Sequence, residues 1–290
     1  VSASTGVNAQ STSGSVYLQS ASSLLLQSIN AAGTASLQAN TGSIVDANGG
    51  SVNITAATAV LSAYSGIGVG NALETSLGTL SASTTMSGDI VIENSGTLTL
   101  GTLSPFSGSR WLIYAASPAN VVKGSVTTNF RHYSGTYATY PSPSESGNGL
   151  IYASAPGTIL VDTALASGSA SSVFGVAPNA VYNSSYANVS IADNEDFALT
   201  SGTVTYTPVI SAATNAGSYT VQYGGGLSNP AGYAFAPGTG VAYTVAPAAL
   251  TVVTAGLTGA TSKMYDGTTA AVLTPSNYAL SGFVGSDSAT

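Results

Sequence analysis

The sequence predicts an all-β protein. Strong helix formers are scarce, while Val, Ile, Thr and sixteen Tyr are plentiful. Turn-forming residues recur at short, regular intervals. Between the turns, apolar and polar residues alternate over three to five positions, as in a half-buried strand. Only 5% of the 290 residues are charged, against about 25% in ordinary soluble domains. Low charge is common in membrane spans and in disordered chains, and neither fits. No run approaches the ~20 apolar residues of a transmembrane helix, and a disordered chain would be poor in aromatic and β-branched residues.

Residues 1–104 repeat. The stretches "SGSVYLQS" (13–20), "AGTASLQAN" (32–40), "TGSIVDANGG" (41–50), "GSVNITAAT" (50–58), "SGDIVIENSG" (87–96) and "GTLTLGTL" (96–103) each join a small turn to a short alternating strand. The turns recur every eight to ten residues, so two units give a period near twenty. Strands this short make no stable free hairpin sheet. Stacked on copies of themselves, they bury one apolar face and satisfy one another's backbone groups. The expected arrangement is a right-handed parallel β-helix rising about 4.8 Å per coil, with a many-stranded β-sandwich as the competing one. Outward ladders of Ser, Thr and Asn account for the low charge, because stacked like charges repel whereas stacked hydroxyls and amides hydrogen-bond.

Residues 105–165 break the pattern. They hold the sole Trp (Trp111), the sole His (His132) and three of the four basic residues, Arg110, Lys123 and Arg131. A rod end exposes unpaired strand edges, and aromatics, Pro and charges are suited to capping it, so a cap and transition segment is expected here. Over 166–247 the strands lengthen: "NVSIA" (188–192), "GTVTYTPVI" (202–210), "GSYTVQYGGGL" (217–227) and "VAYTVAPAALTVV" (241–253). Their spacing suits an Ig-like antiparallel sandwich, with Tyr219, Val221 and Tyr223 on one face. Residues 248–290 begin a further module.

Net charge of −7 with four Lys and Arg argues against nucleic acid, which demands a basic surface, and against anionic lipid. The absence of Cys removes disulfides, zinc–thiolate sites and cysteine nucleophiles, and fits a chain that crosses an outer membrane unfolded. The start "VSASTGVNAQ" lacks the basic and apolar regions of a signal peptide, and an internal segment of a longer protein is expected.

His132 has no recognisable catalytic neighbours in sequence and reads as structural. Trp111, Tyr133, Tyr137 and Tyr140 are candidate sugar-stacking faces, weighed against packing within the cap. The acidic run Asp193, Glu195 and Asp196 is a candidate for calcium, offering several oxygens without EF-hand spacing, weighed against a solvated acidic turn. "GGG" (224–226) reads as a hairpin turn or bulge rather than a phosphate loop. Asn53, Asn183 and Asn188 are glycosylation sequons. Asp46, Glu74, Asp89 and Glu93 are the only charged residues of the shaft, and Asp89 with Glu93 is its one candidate acidic pair. In "KMYDGTT", Asp266-Gly267 is expected to form a tight turn, with Asp266 accepting backbone N–H groups and Tyr265 anchored in a core.

These stretches resemble a known family. The repeats of 1–104 and the pattern "SRWLIY…P…F…Y…TY…GNGLIY" after them are similar to the shaft, and the segment following it, of filamentous-haemagglutinin-like exoproteins, adhesins secreted through a two-partner system. "NAGSYTVQY" and "VAYTVAPAALTVV" resemble MBG modules, and Lys263, Tyr265, Asp266, Gly267, Thr268 and Thr269 resemble the entrance of a YDG module, with Met264 where Val is usual. The resemblance implies a secreted, cell-surface or biofilm-matrix adhesin without catalytic activity or cofactor. Its partners would be exopolysaccharide, other cells or like molecules, and an outer-membrane secretion transporter. A β-helical polysaccharide-active enzyme and a phage or virion fibre are the alternatives.

Overall fold

The computed structural model describes residues 6–189, 192–253, 257–259, 262–270 and 272–288. The chain divides into two compact units. The first holds residues up to Thr158 with Asn188–Thr200 and Asn229–Ala234, and the second holds Ile159–Ala187, Ser201–Ser228 and Phe235 onward.

The first unit is a parallel β-helix of about seven turns. Its strands are β1 (Val7–Ser11), β2 (Val16–Ser20), β3 (Leu24–Ala39), β4 (Ile44–Asp46), β5 (Ile54–Ala63), β6 (Leu73–Thr84), β7 (Ile90–Asn94), β8 (Leu98–Ser104), β9 (Trp111–Ala115), β10 (Val121–Val122), β11 (Phe130–Tyr133) and β12 (Gly149–Tyr152). The main path runs β1–β3–β5–β6–β7–β9–β12–β11, and its pairings are all parallel.

Register stacks like on like. Ile44, Ile67, Ile90 and Trp111 form one column, with Leu24 beneath Ile44. Val16, Ala35, Ala59, Leu80 and Leu100 form another. Both columns are buried in one continuous core, because alternation along each strand sends every second side chain inward. Outside the core, polar side chains bridge coils. Asn8 Nδ2 donates to Gln27 Oε1 at 2.9 Å, nineteen residues away. Thr41 Oγ1 donates to the Ala21 carbonyl at 2.6 Å, twenty residues away. These separations are the coil period expected from the repeats. The turns are tight: Gly88 has φ of +82°, and a Cβ there would collide with the Ser65 carbonyl oxygen.

The parallel coils continue beyond Ser104 into the segment expected as a cap. Every residue of β9 and β12 is buried. Trp111, Ile113 and Ala115 join the interior core. Leu112 and Tyr114 point the other way and pack with Ala72, Val91 and Ile151 under Phe130, Tyr137 and Tyr140. Strands covered on both faces lose the alternation by which β1–β8 announce themselves.

The second unit is a two-sheet sandwich. One sheet orders β15 (Val181–Ala187), β13 (Thr158–Ser167) and β18 (Ala234–Pro237). The other orders β14 (Ser171–Val173), β19 (Val241–Ala246), β17 (Gly217–Ser228) and β16 (Ser201–Thr207). The β13–β15, β16–β17 and β17–β19 pairings are antiparallel, and β14–β19 is parallel. Val221, Tyr243 and Val245 of one sheet pack with Tyr182 of the other, along with Phe174, Tyr206 and Tyr219. Tyr219, Val221 and Tyr223 share a face as expected. Gly224–Gly226 lies inside β17 opposite register shifts in β16, so it is a bulge.

The expected strand 188–192 does not form over its described residues. Asn188 takes a left-handed φ of +51°, which breaks extended backbone, and positions 190 and 191 lie outside the described residues. β20 (Thr251–Val253) and β21 (Ala279–Ser281) make a separate antiparallel pair. Among the described residues, no helix is long and apolar enough to cross a membrane.

Candidate functional site

The densest polar cluster lies in the first unit, where β11 and β12 meet residues 193–197. A single helical turn, Asn194–Phe197, is capped by Asp193, whose Oδ1 accepts from the Glu195 N–H at 2.9 Å. Arg131 Nε donates to Asp196 Oδ1 at 2.7 Å and lies 3.6 Å from Asp193 Oδ1. Its Nη1 reaches Glu195 Oε2 at 2.6 Å and Thr128 Oγ1 at 2.7 Å. Lys123 pairs with Glu195 as well. The Tyr133 hydroxyl donates to Asp196 Oδ2 and lies 2.6 Å from the Tyr233 hydroxyl. The Tyr152 hydroxyl donates to Asp193 Oδ2 at 3.1 Å.

The cluster is well shielded from solvent: the side chains of Arg131 and Asp196 are 13% and 8% exposed. Burial opposes the charge of Arg131, but the bond to Asp196 and the nearby Asp193 raise its pKa above the ordinary value. Burial, then the acceptor Asp196, pushes the Tyr133 phenol up. Burial and the Asp193 carboxylate do the same to Tyr152. These tyrosines remain neutral donors, so the arrangement is a closed ionic clamp holding one segment against the coil end.

The acids weighed for calcium are therefore occupied by Arg131, Lys123 and two phenols. Among the described residues, no group of three His, Cys, Asp or Glu side chains is placed to hold a metal ion. The aromatic candidates separate. Trp111 is 1% exposed and closes an aliphatic column, which corrects its reading as a sugar-stacking face. Tyr133 lies against Tyr152 and Tyr233. Tyr137 and Tyr140 are half-buried, Tyr137 edge-on to Tyr114 and Tyr140 stacked on His132 at 3.9 Å between ring centroids.

His132 does have a carboxylate neighbour: Glu145 Oε1 lies 3.1 Å from its Nδ1, and the Tyr140 hydroxyl donates to Glu145 Oε2 at 2.6 Å. Burial raises the Glu145 carboxyl, but the bond from Tyr140 and the contact with His132 bring it below its usual range. The expected pairing of Asp89 with Glu93 is replaced by two others. Asp89 pairs with Arg110, Nε to Oδ2 at 3.5 Å, and Glu93 stacks in register on Glu74. Thus a later coil supplies the basic partner that the shaft lacks.

Of the sequons, Asn53 is fully buried. Its Nδ2 donates to the Leu26 carbonyl and Asp46, and its Oδ1 accepts from the Glu74 N–H. It is a bracing residue between coils, inaccessible to glycosylation in the folded chain. Asn183 and Asn188 are exposed.

In the final segment, Lys263 Nζ donates to Asp266 Oδ1 and Thr268 Oγ1, each at 2.8 Å, and Asp266 Oδ1 accepts the Thr268 N–H at 3.0 Å. Gly267 carries φ of +81°, and Thr269 is exposed beside it. The turn forms as expected, but Tyr265 is 89% exposed rather than anchored, because no described side chain covers that face. Trypsin should therefore cut first after Lys263, in this exposed turn, ahead of Arg110, Lys123 and Arg131, which are held in ion pairs within the first unit. Mass spectrometry of a brief digest would check this, and an earlier cut at Arg131 would contradict the clamp.

Tyr233 and Glu145 are not marked by the sequence. Tyr233 lies one hundred residues from its partner Tyr133, and no local pattern marks such a contact. Comparison with protein families, curated proteins and solved structures finds no match to this chain.

Proposed function

We propose that this chain is a non-catalytic scaffold segment of a secreted bacterial exoprotein of the filamentous-haemagglutinin-like kind, with MBG and YDG modules behind a β-helical shaft. In this reading the parent protein leaves the cell through an outer-membrane transporter and serves attachment at the surface or in the matrix. Its partners are exopolysaccharide, other cells or like molecules.

The observation that carries the reading is the continuous stack of buried aliphatic columns beneath an exterior bridged by uncharged amides and hydroxyls. Such a rod grows by adding coils, and its polar ladders are insensitive to salt because few ionic contacts contribute to them. The residues singled out for chemistry have structural partners instead, in the Arg131 clamp, the His132–Glu145–Tyr140 stack and the Asn53 brace.

Glycan arrays and cell-binding assays on the purified chain test the attachment role. Retention of exopolysaccharide or cells by the folded chain, lost on denaturation, is the expected result. Silence across glycans and cells would remove adhesion and leave a spacer. Release of reducing ends from any polysaccharide would favour the enzymatic alternative.

A further inference from the structure

Glu74 in β6 is a shielded acid without a counter-charge. Its Oε2 is inaccessible and has no hydrogen-bond partner, and none of the ion pairs among the described residues includes it. Acids flank it on both sides. Glu93 stands in register on the next coil, and Asp46 acts on it from the coil before.

Asp46 is firmly ionised. Burial opposes its charge, but N–H groups of Asn48 and Gly49 and the amides of Asn53 and Asn71 hold its carboxyl below the usual range. From residues 134–148, Tyr137 faces both Glu74 and Glu93 while its hydroxyl donates to the Gly70 carbonyl at 3.2 Å. Tyr114 of β9 faces Glu93. Arg110, the basic residue nearest this face in the coil order, pairs with Asp89. A cavity of about 390 Å³ adjoins Glu74 and Glu93, walled by Thr75, Asn94, Tyr114 and Thr136.

We propose that Glu74 is a proton-operated joint of the β-helix: protonated, it lets the β6–β7 coil contact close, and ionised, it draws water into the adjoining cavity and loosens residues 134–148 from that face. An ionised Oε2 would be unsolvated between two like charges, and the cavity is the nearest place from which water can reach it. Burial first, then Asp46 and Glu93, pushes the Glu74 carboxyl up to about 7 from an ordinary 4.5. The folded pKa is raised, so this contribution to stability is full below about 4.5 and is lost as pH rises through about 7. The coil is firmest in mild acid.

Hydrogen exchange of the full chain at pH 5.5 and 8.5, corrected for intrinsic rates, tests the joint. Protection of β6 and of residues 134–148 should fall roughly tenfold at the higher pH in the wild type, a value discounted for solvent at the edge of the site. It should stay level in Glu74→Gln. Equal protection at both pH values in the wild type, or the same fall in Glu74→Gln, would overturn the proposal. Should that variant not fold, Glu93→Gln removes one flanking like charge, so Glu74 ionises more easily and the fall in protection should begin at a more acidic pH than in the wild type; a transition shifted to more alkaline pH, or unmoved, rejects the joint.

Discussion

Replacing Arg131 with methionine is expected to destabilise the first unit by about 3–5 kcal/mol, the cost of leaving buried carboxylates without their cation. Asp193 and Asp196 are the carboxylates concerned, with side chains 9% and 8% exposed, and neither can reach bulk water without the 193–197 turn leaving the coil end. Urea unfolding followed by the fluorescence of Trp111, the sole Trp, measures the loss. Glu195→Gln is the control: Glu195 is half exposed, and its removal should cost no more than about 1 kcal/mol. Added salt should narrow the Glu195 effect and leave the Arg131 effect nearly unchanged, since buried pairs are poorly screened. An Arg131→Met chain within about 1 kcal/mol of wild type would reduce the clamp to a surface contact.

Ile90→Ala should cost about 2–5 kcal/mol, the range for truncating a buried aliphatic side chain to Ala. Ile90 has no exposure and sits in register between Ile67 and Trp111. The cavity would open directly against the indole, so the emission of Trp111 should change even in the folded state. Coils contact only their neighbours, and exchange protection should therefore fall in β7 and β9 and persist in β3. A uniform fall across all coils would show the unit to be one cooperative block.

The shaft was legible in sequence because its strands obey period two with one wet face. β3 alternates buried and exposed positions along most of its sixteen residues, and its turns carry Gly, Ser and Asn. β9 escaped that reading for a physical reason: "WLIYA" is buried throughout, so nothing in its pattern separates a coil strand from a packed cap. The clamp was legible only in halves. Arg131 and the acidic run each stood out against a charge-poor background, but they meet across more than sixty residues, and pairing at that range leaves no local trace. Tyr265 failed differently. Its turn chemistry is local and was readable from Asp266, Gly267 and Thr268, whereas burial depends on which surface covers it.

The twenty-residue spacing of the bridging bonds has a mechanical corollary. Tension along the β-helix axis loads every coil boundary in series, so the boundary with the weakest pairing parts first. Each coil that separates gives up about 4.8 Å of stacked height and frees roughly twenty residues, some 70 Å of extended chain. Under load such a rod would lengthen in discrete steps more than tenfold larger than the coil spacing, dissipating a pull rather than transmitting it undiminished.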